Sequence, residues 1–493
     1  MKKSGRVLIA VLCSLACACG GGGGGSSPDT ATGWQKFRHD SSNSGLGGGT
    51  VGANSGQKQS VQIDDGGTPS AISSSPAITA DDSTIYVASE AGTLAALPRT
   101  LGTPRWKVSS CGACPQGQQA LGTLMSSPAV YTLTGQSDNE LNEQTTIFIG
   151  SSNGSVFSFQ DAGGSEVSCI GCFQPALGGG ATVKFLSSPT FTTDPVVATV
   201  SGVFIGAQID SPTGQSSGKL YALNRNGTLN WEFPRPGQPA IGAVTSSPAF
   251  GGGTTGLVAS GSGATLLFTA ADNYLYALAS DGTLKWKSPV GNVVDPTVPL
   301  AISALTSATT VFAPTADGSI LALNLDGSPL WTSVAATSGF AASLAAGDAA
   351  VVSPTTAATP AATPTPQPAV TGSATPTPTA APTVAQQSFL YAVTKSGEVV
   401  RLNVRVPTPA VVPLSAAIAS PVLSSPALSA DTYLVFGSND GTLHAINTST
   451  GSEPSGWPVK LTNSPIRSSP AIATDGVIYV GADDGMLYAV GLE

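Results

Sequence analysis

The sequence predicts an all-β fold in which eight copies of a four-stranded antiparallel unit form the blades of a propeller. Three observations predict it. A Ser-Ser-Pro tripeptide recurs at Ser74, Ser126, Ser187, Ser246, Ser424 and Ser468, with weaker copies beginning near Leu300 and Ala342. Behind each copy lie short runs rich in β-branched and aromatic residues, broken by Gly turns, as expected of strands joined in hairpins. The repeat length of roughly 40 to 60 residues is that of a propeller blade.

Each element of the repeat has its own justification. The first strand follows Ser-Ser-Pro directly, as in Ala471-Ile472. A second strand such as Ile85-Tyr86-Val87-Ala88 or Ile147-Phe148-Ile149-Gly150 comes next, then a turn such as Ser152-Asn153-Gly154 or Asn439-Asp440-Gly441. The third strand is represented by Leu220-Tyr221-Ala222-Leu223 and Leu275-Tyr276-Ala277-Leu278. A second turn (Asn226-Gly227, Asp281-Gly282, Asp326-Gly327) leads into a fourth strand bearing Trp231, Trp286 or Trp331. Asn-Gly and Asp-Gly supply the positive φ angles that tight hairpins need. Trp106 holds the matching position in the first blade and Trp457 a looser one, so these rings are expected to pack one blade on the next. The final copy stops at Glu493 after its third strand, and Val61-Gln62-Ile63 is the segment expected to complete it. Such a closure leaves no free sheet edge at the join.

The first residues are an address rather than a fold. Lys2, Lys3 and Arg6 form a basic start, Val7 to Leu12 open an apolar stretch, and small residues follow, the pattern of a signal peptide over 1–18. Ala16-Cys17-Ala18-Cys19 before a Gly run resembles the lipobox of bacterial lipoproteins, with Cys19 as the acylated residue and Cys17 fitting almost as well. Residues 19–33 then form a lipidated Gly/Ser tether, and two or more acyl chains hold a protein stably on a membrane. Beyond the leader no stretch approaches the ~18 apolar residues of a membrane-spanning helix. The net charge of −9 falls to −12 once the leader's three basic residues are gone, which disfavours nucleic acid as a partner.

Trp34-Gln35-Lys36-Phe37-Arg38-His39-Asp40 opens the region 34–493. This segment, the Leu-Tyr-Ala-Leu strands and the Gly-Thr-Leu-x-Trp turns resemble bacterial proteins with pyrroloquinoline-quinone-like (PQQ-like) propeller repeats. The resemblance is specific for the fold and much weaker for the activity. Residues 353–385 break the rhythm: nearly all Ala, Thr, Pro, Ser, Gln and Val, without a charge, they are expected to be a disordered insertion between the first and second strands of the sixth blade.

After the leader the only cysteines are Cys111, Cys114, Cys169 and Cys172, in Cys-Gly-Ala-Cys and Cys-Ile-Gly-Cys. Both motifs are placed in loops between a fourth strand and the next Ser-Ser-Pro, and in an exported protein they are read as disulfides, one within each motif. Cross-paired bridges, a four-thiolate zinc site and a thioredoxin-like exchange pair are the alternatives. His39 and His444 are the only histidines, so neither a His-rich metal centre nor a Ser-His-Asp arrangement has much to draw on. His444 is read as a packed or exposed strand residue. Asp81-Asp82, Asp272-Asn273, Asn439-Asp440 and Asp483-Asp484 fall in turns that explain them without calcium.

Quinone-dependent dehydrogenases of the resembled fold bind their cofactor beside two adjacent cysteines, with a calcium and a catalytic Asp. No two cysteines adjoin here, and neither a catalytic, a cofactor-binding nor a metal residue is assigned. The expectation is therefore a non-catalytic, cofactor-free, monomeric ring, lipid-anchored at the periplasmic or outer surface of the outer membrane. Its partners would be envelope or outer-membrane proteins, as for family members that serve outer-membrane protein assembly. A quinoprotein-type dehydrogenase or other propeller enzyme, and a surface ligand sensor or adhesin, are the competing expectations.

Overall fold

A computed structural model of the chain describes residues 47–51, 58–64, 69–132, 145–194, 199–251, 265–290, 303–304, 310–350 and 386–491, apart from 316, 334–335, 337, 341–343, 405 and 407–408. The leader, the tether, Cys17, Cys19, His39 and the 353–385 insertion lie outside these residues. The described chain contains strands and turns but no helix, and so no helix long and apolar enough to cross a membrane.

Eight antiparallel blade sheets follow one another along the chain; six have four strands in sequence order, blade 3 has a fifth because Thr182–Lys184 and Thr190–Asp194 both pair with Thr199–Asp210, and blade 8 takes one strand from near the N-terminus. Blade 1 runs Ala77–Ile78, Thr84–Ala88, Leu94–Pro98 and Trp106–Val108 from its first strand to its last. Blade 2 runs Ala129–Thr132, Thr145–Gly150, Val156–Asp161 and Val167–Phe173. First strands of neighbouring blades touch (Ala77–Ile78 with Ala129–Thr132, Ala249–Gly251 with Ser303–Ala304), which places them around the axis and the fourth strands at the rim. The sixth blade has its first two strands, Ala345–Ala350 and Gln386–Val393, on either side of the 353–385 segment.

The eighth blade closes the ring as the sequence predicts. Ala471–Ile472, Ile478–Gly481 and Met486–Val490 are completed by Lys58–Gln62, which pairs antiparallel with the last strand so that Val61 faces Leu487. Residues 47–51 fasten the same region to blade 7: Gly47 N–H donates to Leu428 O at 2.7 Å and Val51 N–H to an Asp431 carboxylate oxygen at 2.9 Å. Polar ties join blade 8 to blade 1, where the Thr474 hydroxyl and N–H donate to Asp82 and Arg99 pairs with Asp475.

The recurring Ser-Ser-Pro does two jobs. Its first serine bonds within the blade: Ser74 Oγ donates to Ala88 O, and Ser126 Oγ accepts from Gly150 N–H. Its second serine bonds between blades. Ser75 N–H donates to Ser127 Oγ at 2.8 Å, Ser127 N–H to Ser188 Oγ at 3.0 Å, and Ser188 N–H to Ser247 Oγ at 2.9 Å. Across the closure, Ser425 N–H donates to Ser469 Oγ and Ser469 N–H to Ser75 Oγ. All these serines are buried, so the motif is a hydrogen-bonded belt in which each hydroxyl satisfies a neighbour's otherwise dry N–H.

Candidate functional site

The cysteines pair between motifs, not within them. Cys111 bonds Cys169 and Cys114 bonds Cys172, with Cα separations of 5.5 and 4.8 Å. The placement also differs from the expected pair of equivalent loops. Cys111 and Cys114 belong to a small hairpin (Ser110–Cys111 with Gln119–Ala120) that follows blade 1, whereas Cys169 and Cys172 lie on the fourth strand of blade 2 itself. The hairpin folds over that strand and sets the two motifs side by side, so the bridges lock blade 1 to blade 2 at the rim. Gly171 is required between the second pair because a Cβ there would strike the Asn226 carbonyl in the third–fourth turn of blade 3.

Trp106, Trp231, Trp286 and Trp331 all sit on fourth strands, and each faces an alanine of the third strand: Ala96, Ala222, Ala277 and Ala322. The small partner leaves room for the ring. Trp231 then lies on the Asp281-Gly282 turn of blade 4, its indole N–H donating to Ser280 O at 3.1 Å. Trp286 repeats this on the Asp326-Gly327 turn of blade 5, donating to Leu325 O at 2.9 Å. Trp106 is buried against Tyr86, ring centroids 5.9 Å apart, and Trp331 packs on Phe312 at 5.7 Å. At the blade 2–3 junction the backbone of Gly171 and Cys172 takes the place a Trp holds elsewhere.

A polar cleft of about 440 Å³ lies between blades 1 and 2. One wall is the turn between the first and second strands of blade 1, carrying Thr79, Asp81, Ser83 and Thr84; the other is Asp161 to Gly164. Asp161 is 1% exposed, and its carboxylate accepts from Tyr86 Oη at 2.8 Å, Arg105 Nη2 at 2.5 Å and Gly163 N–H at 2.8 Å. Burial, and then the negative charge of Asp161, push the Tyr86 hydroxyl far above the ordinary tyrosine value. Asp81 accepts from Ser83 N–H and Oγ; although burial raises its pKa, the Thr79 and Ser83 bonds outweigh it and hold the carboxyl below its usual value. The cleft thus has a rigid, internally neutralised floor and a hydroxyl-rich rim with one ionised carboxylate. Sequence reasoning missed it because Arg105 and Asp161 stand 56 residues apart at positions that do not correspond between repeats.

Blade 7 holds a second arrangement that the sequence did not disclose. His444 Nδ1 lies 2.9 Å from Glu453 Oε1 and its Nε2 lies 3.2 Å from Ser438 Oγ, with the ring stacked on Phe436. The order is that of a Ser-His-acid relay. Ser438 is fully buried, however, and its hydroxyl lies 2.5 Å from Asp440 Oδ1, so the group closes a turn instead of presenting a nucleophile. His444 is accordingly a packed strand residue. The acidic pairs Asp81-Asp82, Asp272-Asn273, Asn439-Asp440 and Asp483-Asp484 all occupy turns or short connections, and among the described residues no three His, Cys, Asp or Glu side chains converge to hold a metal. The adjacent-cysteine cradle of the quinone dehydrogenases is not formed either: all four described cysteines are consumed in bridges at the rim, away from the axis.

Comparison with known proteins adds the family context. A family model described as "Outer membrane protein assembly factor BamB" matches residues 216–453, a little under half of the chain. BamB from Moraxella catarrhalis superposes over 88% of this chain and 98% of its own, with a TM-score of 0.51 at 14% identity. The computationally designed Ika8 protein covers 87% and 99%, with a TM-score of 0.51 at 15% identity. Quinohemoprotein alcohol dehydrogenase from Comamonas testosteroni covers 94% and 81%, with a TM-score of 0.57 at 13% identity. No curated protein matches the sequence. At such identities the structural likeness reports the fold, and a fold shared by an assembly factor and a dehydrogenase does not choose between their activities. The repeats and the closed ring of eight blades make the chain a β-propeller similar in plan to BamB, and residues 216–453 match that family's model.

Proposed function

We propose that the chain is a non-catalytic scaffold of the cell envelope, anchored to the outer membrane through an acylated Cys19, with Cys17 as the alternative, and mediating protein–protein interactions that include outer-membrane protein assembly. The match of residues 216–453 to an assembly-factor model, on a ring closed by its own N-terminal strand, carries this reading. The ring suits the role physically. Serine belt, tryptophan contacts and inter-blade disulfides hold the blades in fixed relation, so loops on either face meet a partner without a large ordering cost. Residues 19–33 act as the tether and 353–385 as a surface spacer, leaving the blades free to dock.

The test is crosslinking in the membranes of the native host, followed by isolation of the chain and mass spectrometry of the crosslinked peptides and any bound small molecule. Outer-membrane barrel proteins or assembly factors crosslinked to loops of the ring are the expected result. A stoichiometric quinone or metal with no protein partner would overturn the scaffold reading in favour of a dehydrogenase.

A further inference from the structure

We infer that the ring face bearing the first-to-second and third-to-fourth strand turns rests on the lipid surface, held there by an apolar band on blades 3 to 6. The inference rests on the lipid-anchor reading above. Among the described residues, the large apolar side chains that stand exposed are Leu229, Leu284, Leu330, Val406 and Val412. They are not scattered. Each lies in the connection between third and fourth strands or on the fourth strand itself, in four successive blades. Leu229, Leu284 and Leu330 are 45, 41 and 44% exposed, at or next to the start of the fourth strands Leu229–Phe233, Leu284–Pro289 and Pro329–Thr332. The half-buried Trp231, Trp286 and Trp331 stand beside them. Leucine together with tryptophan is the composition that partitions into a membrane interface.

The point at which the chain enters the ring sets the orientation. Because successive strands alternate in direction, both kinds of turn open on the same face of every blade. Residues 47–51 run along that face. Ala430 N–H, in the first-to-second turn of blade 7, donates to Gly49 O at 2.9 Å, and a Cβ on Gly476, in the matching turn of blade 8, would strike Thr50 O. An anchor at Cys19 therefore draws down the face that carries the band, and does so from blades 7 and 8, opposite blades 3 and 4 in the ring of eight. Two points of attachment on opposite sides hold the face flat. Anchoring also makes the band's contact intramolecular, so a modest apolar area suffices. Charge does not oppose it: residues 224–233, 280–289 and 325–332 carry three basic and three acidic side chains, on a chain of net charge −9. A protein partner would need a compact apolar core, whereas these side chains are strung along the rim of four blades. The second-to-third turns then face away from the bilayer, open to protein partners.

The experiment takes the full chain from host membranes and reconstitutes it into vesicles of phosphatidylethanolamine and phosphatidylglycerol, with and without bromine-labelled acyl chains. Flotation reads the anchor, and quenching of tryptophan fluorescence reads the band. Two variants accompany the parent: Leu229→Ser combined with Leu284→Ser and Leu330→Ser, and Leu284→Glu alone. All three positions are exposed, so both variants should melt as the parent does. The expected result is that parent and variants float, and that brominated lipid quenches the parent. Quenching should fall about twofold in the triple variant, since three of the six tryptophans belong to the band, and should fall in Leu284→Glu as well. Flotation with equal quenching in parent and variants would overturn the inference and leave the anchor standing, whereas a parent that does not float would overturn both. A photo-crosslinking side chain in place of Leu284 should yield lipid adducts in the native host; a protein adduct instead would overturn the lipid assignment.

Discussion

Removing the disulfides one at a time should give a strongly non-additive loss of stability. Both bridges close essentially the same loop, each with a sequence separation of 58 residues. In the chain-entropy treatment, closing such a loop restricts the unfolded chain by about 4 kcal/mol. Once either bridge is present, the other closes only a short loop of about eight residues through the two motifs, worth about 2.5 kcal/mol. The paired variant Cys111→Ala with Cys169→Ala should therefore lose about 2.5 kcal/mol, as should Cys114→Ala with Cys172→Ala, while the quadruple variant should lose about 6 to 7 kcal/mol. Equilibrium unfolding in guanidinium chloride reads these differences directly, and proteolytic mapping of the unreduced parent should recover peptides joined 111 to 169 and 114 to 172. If pairing instead ran within each motif, Cys111→Ala with Cys169→Ala would break both bridges at once. A paired variant as unstable as the quadruple one would refute the inter-blade lock.

Three further outcomes are expected. Ser127→Ala should cost about 1 to 3 kcal/mol in thermal unfolding, because it leaves the buried N–H of Ser75 without its acceptor; a loss within a few tenths of zero would mean the serine belt contributes nothing. Gly282→Ala should cost a similar ~1 to 3 kcal/mol, since φ is +81° and the new Cβ would stand 2.7 Å from the Trp231 ring. A double-mutant cycle with Trp231→Leu should show coupling between the two sites, and strict additivity would contradict the packing. In an alkaline titration followed by ultraviolet absorbance, Tyr488, raised to about 12 by burial and then by its bond to Asp484, should ionise well after an ordinary tyrosine, and Tyr86, Tyr221, Tyr276 and Tyr479 later still. The sign follows from the raised folded values: these groups stabilise the ring fully below the unfolded tyrosine pKa of about 10 and cease to as pH climbs through the folded values. Complete ionisation near pH 10 with the ring intact would contradict it.

The architecture was legible because the features that build it are local. Gly turns, alternating strands and the Ser-Ser-Pro spacing repeat in register, and the expected completing segment Val61-Gln62-Ile63 overlaps the strand Lys58–Gln62 that pairs with Met486–Val490. The chemistry was less legible because it arises between blades. Cys-x-x-Cys looks alike whether it pairs internally or across, and only the hairpin after blade 1, laid against the fourth strand of blade 2, settles the matter. The Ser-Ser-Pro motif could be counted, but not that its second hydroxyl caps the neighbouring blade, since that contact spans 52 residues between Ser75 and Ser127. Tyr86 and Asp161 are likewise ordinary strand residues, and Arg105 an ordinary connection residue before Trp106–Val108, until two blades face each other. His444 was read as a strand residue, yet its alignment with Ser438 and Glu453 required the fold of the turn to Glu453 to be known.

The most direct measurement is native mass spectrometry of the chain extracted from its host envelope in mild detergent. The predicted result is a diacyl- or triacyl-modified chain beginning at Cys19, with two intact disulfides, co-eluting with envelope proteins and carrying no stoichiometric quinone. An unmodified chain bearing one quinone or metal per ring, without protein partners, would contradict the scaffold reading.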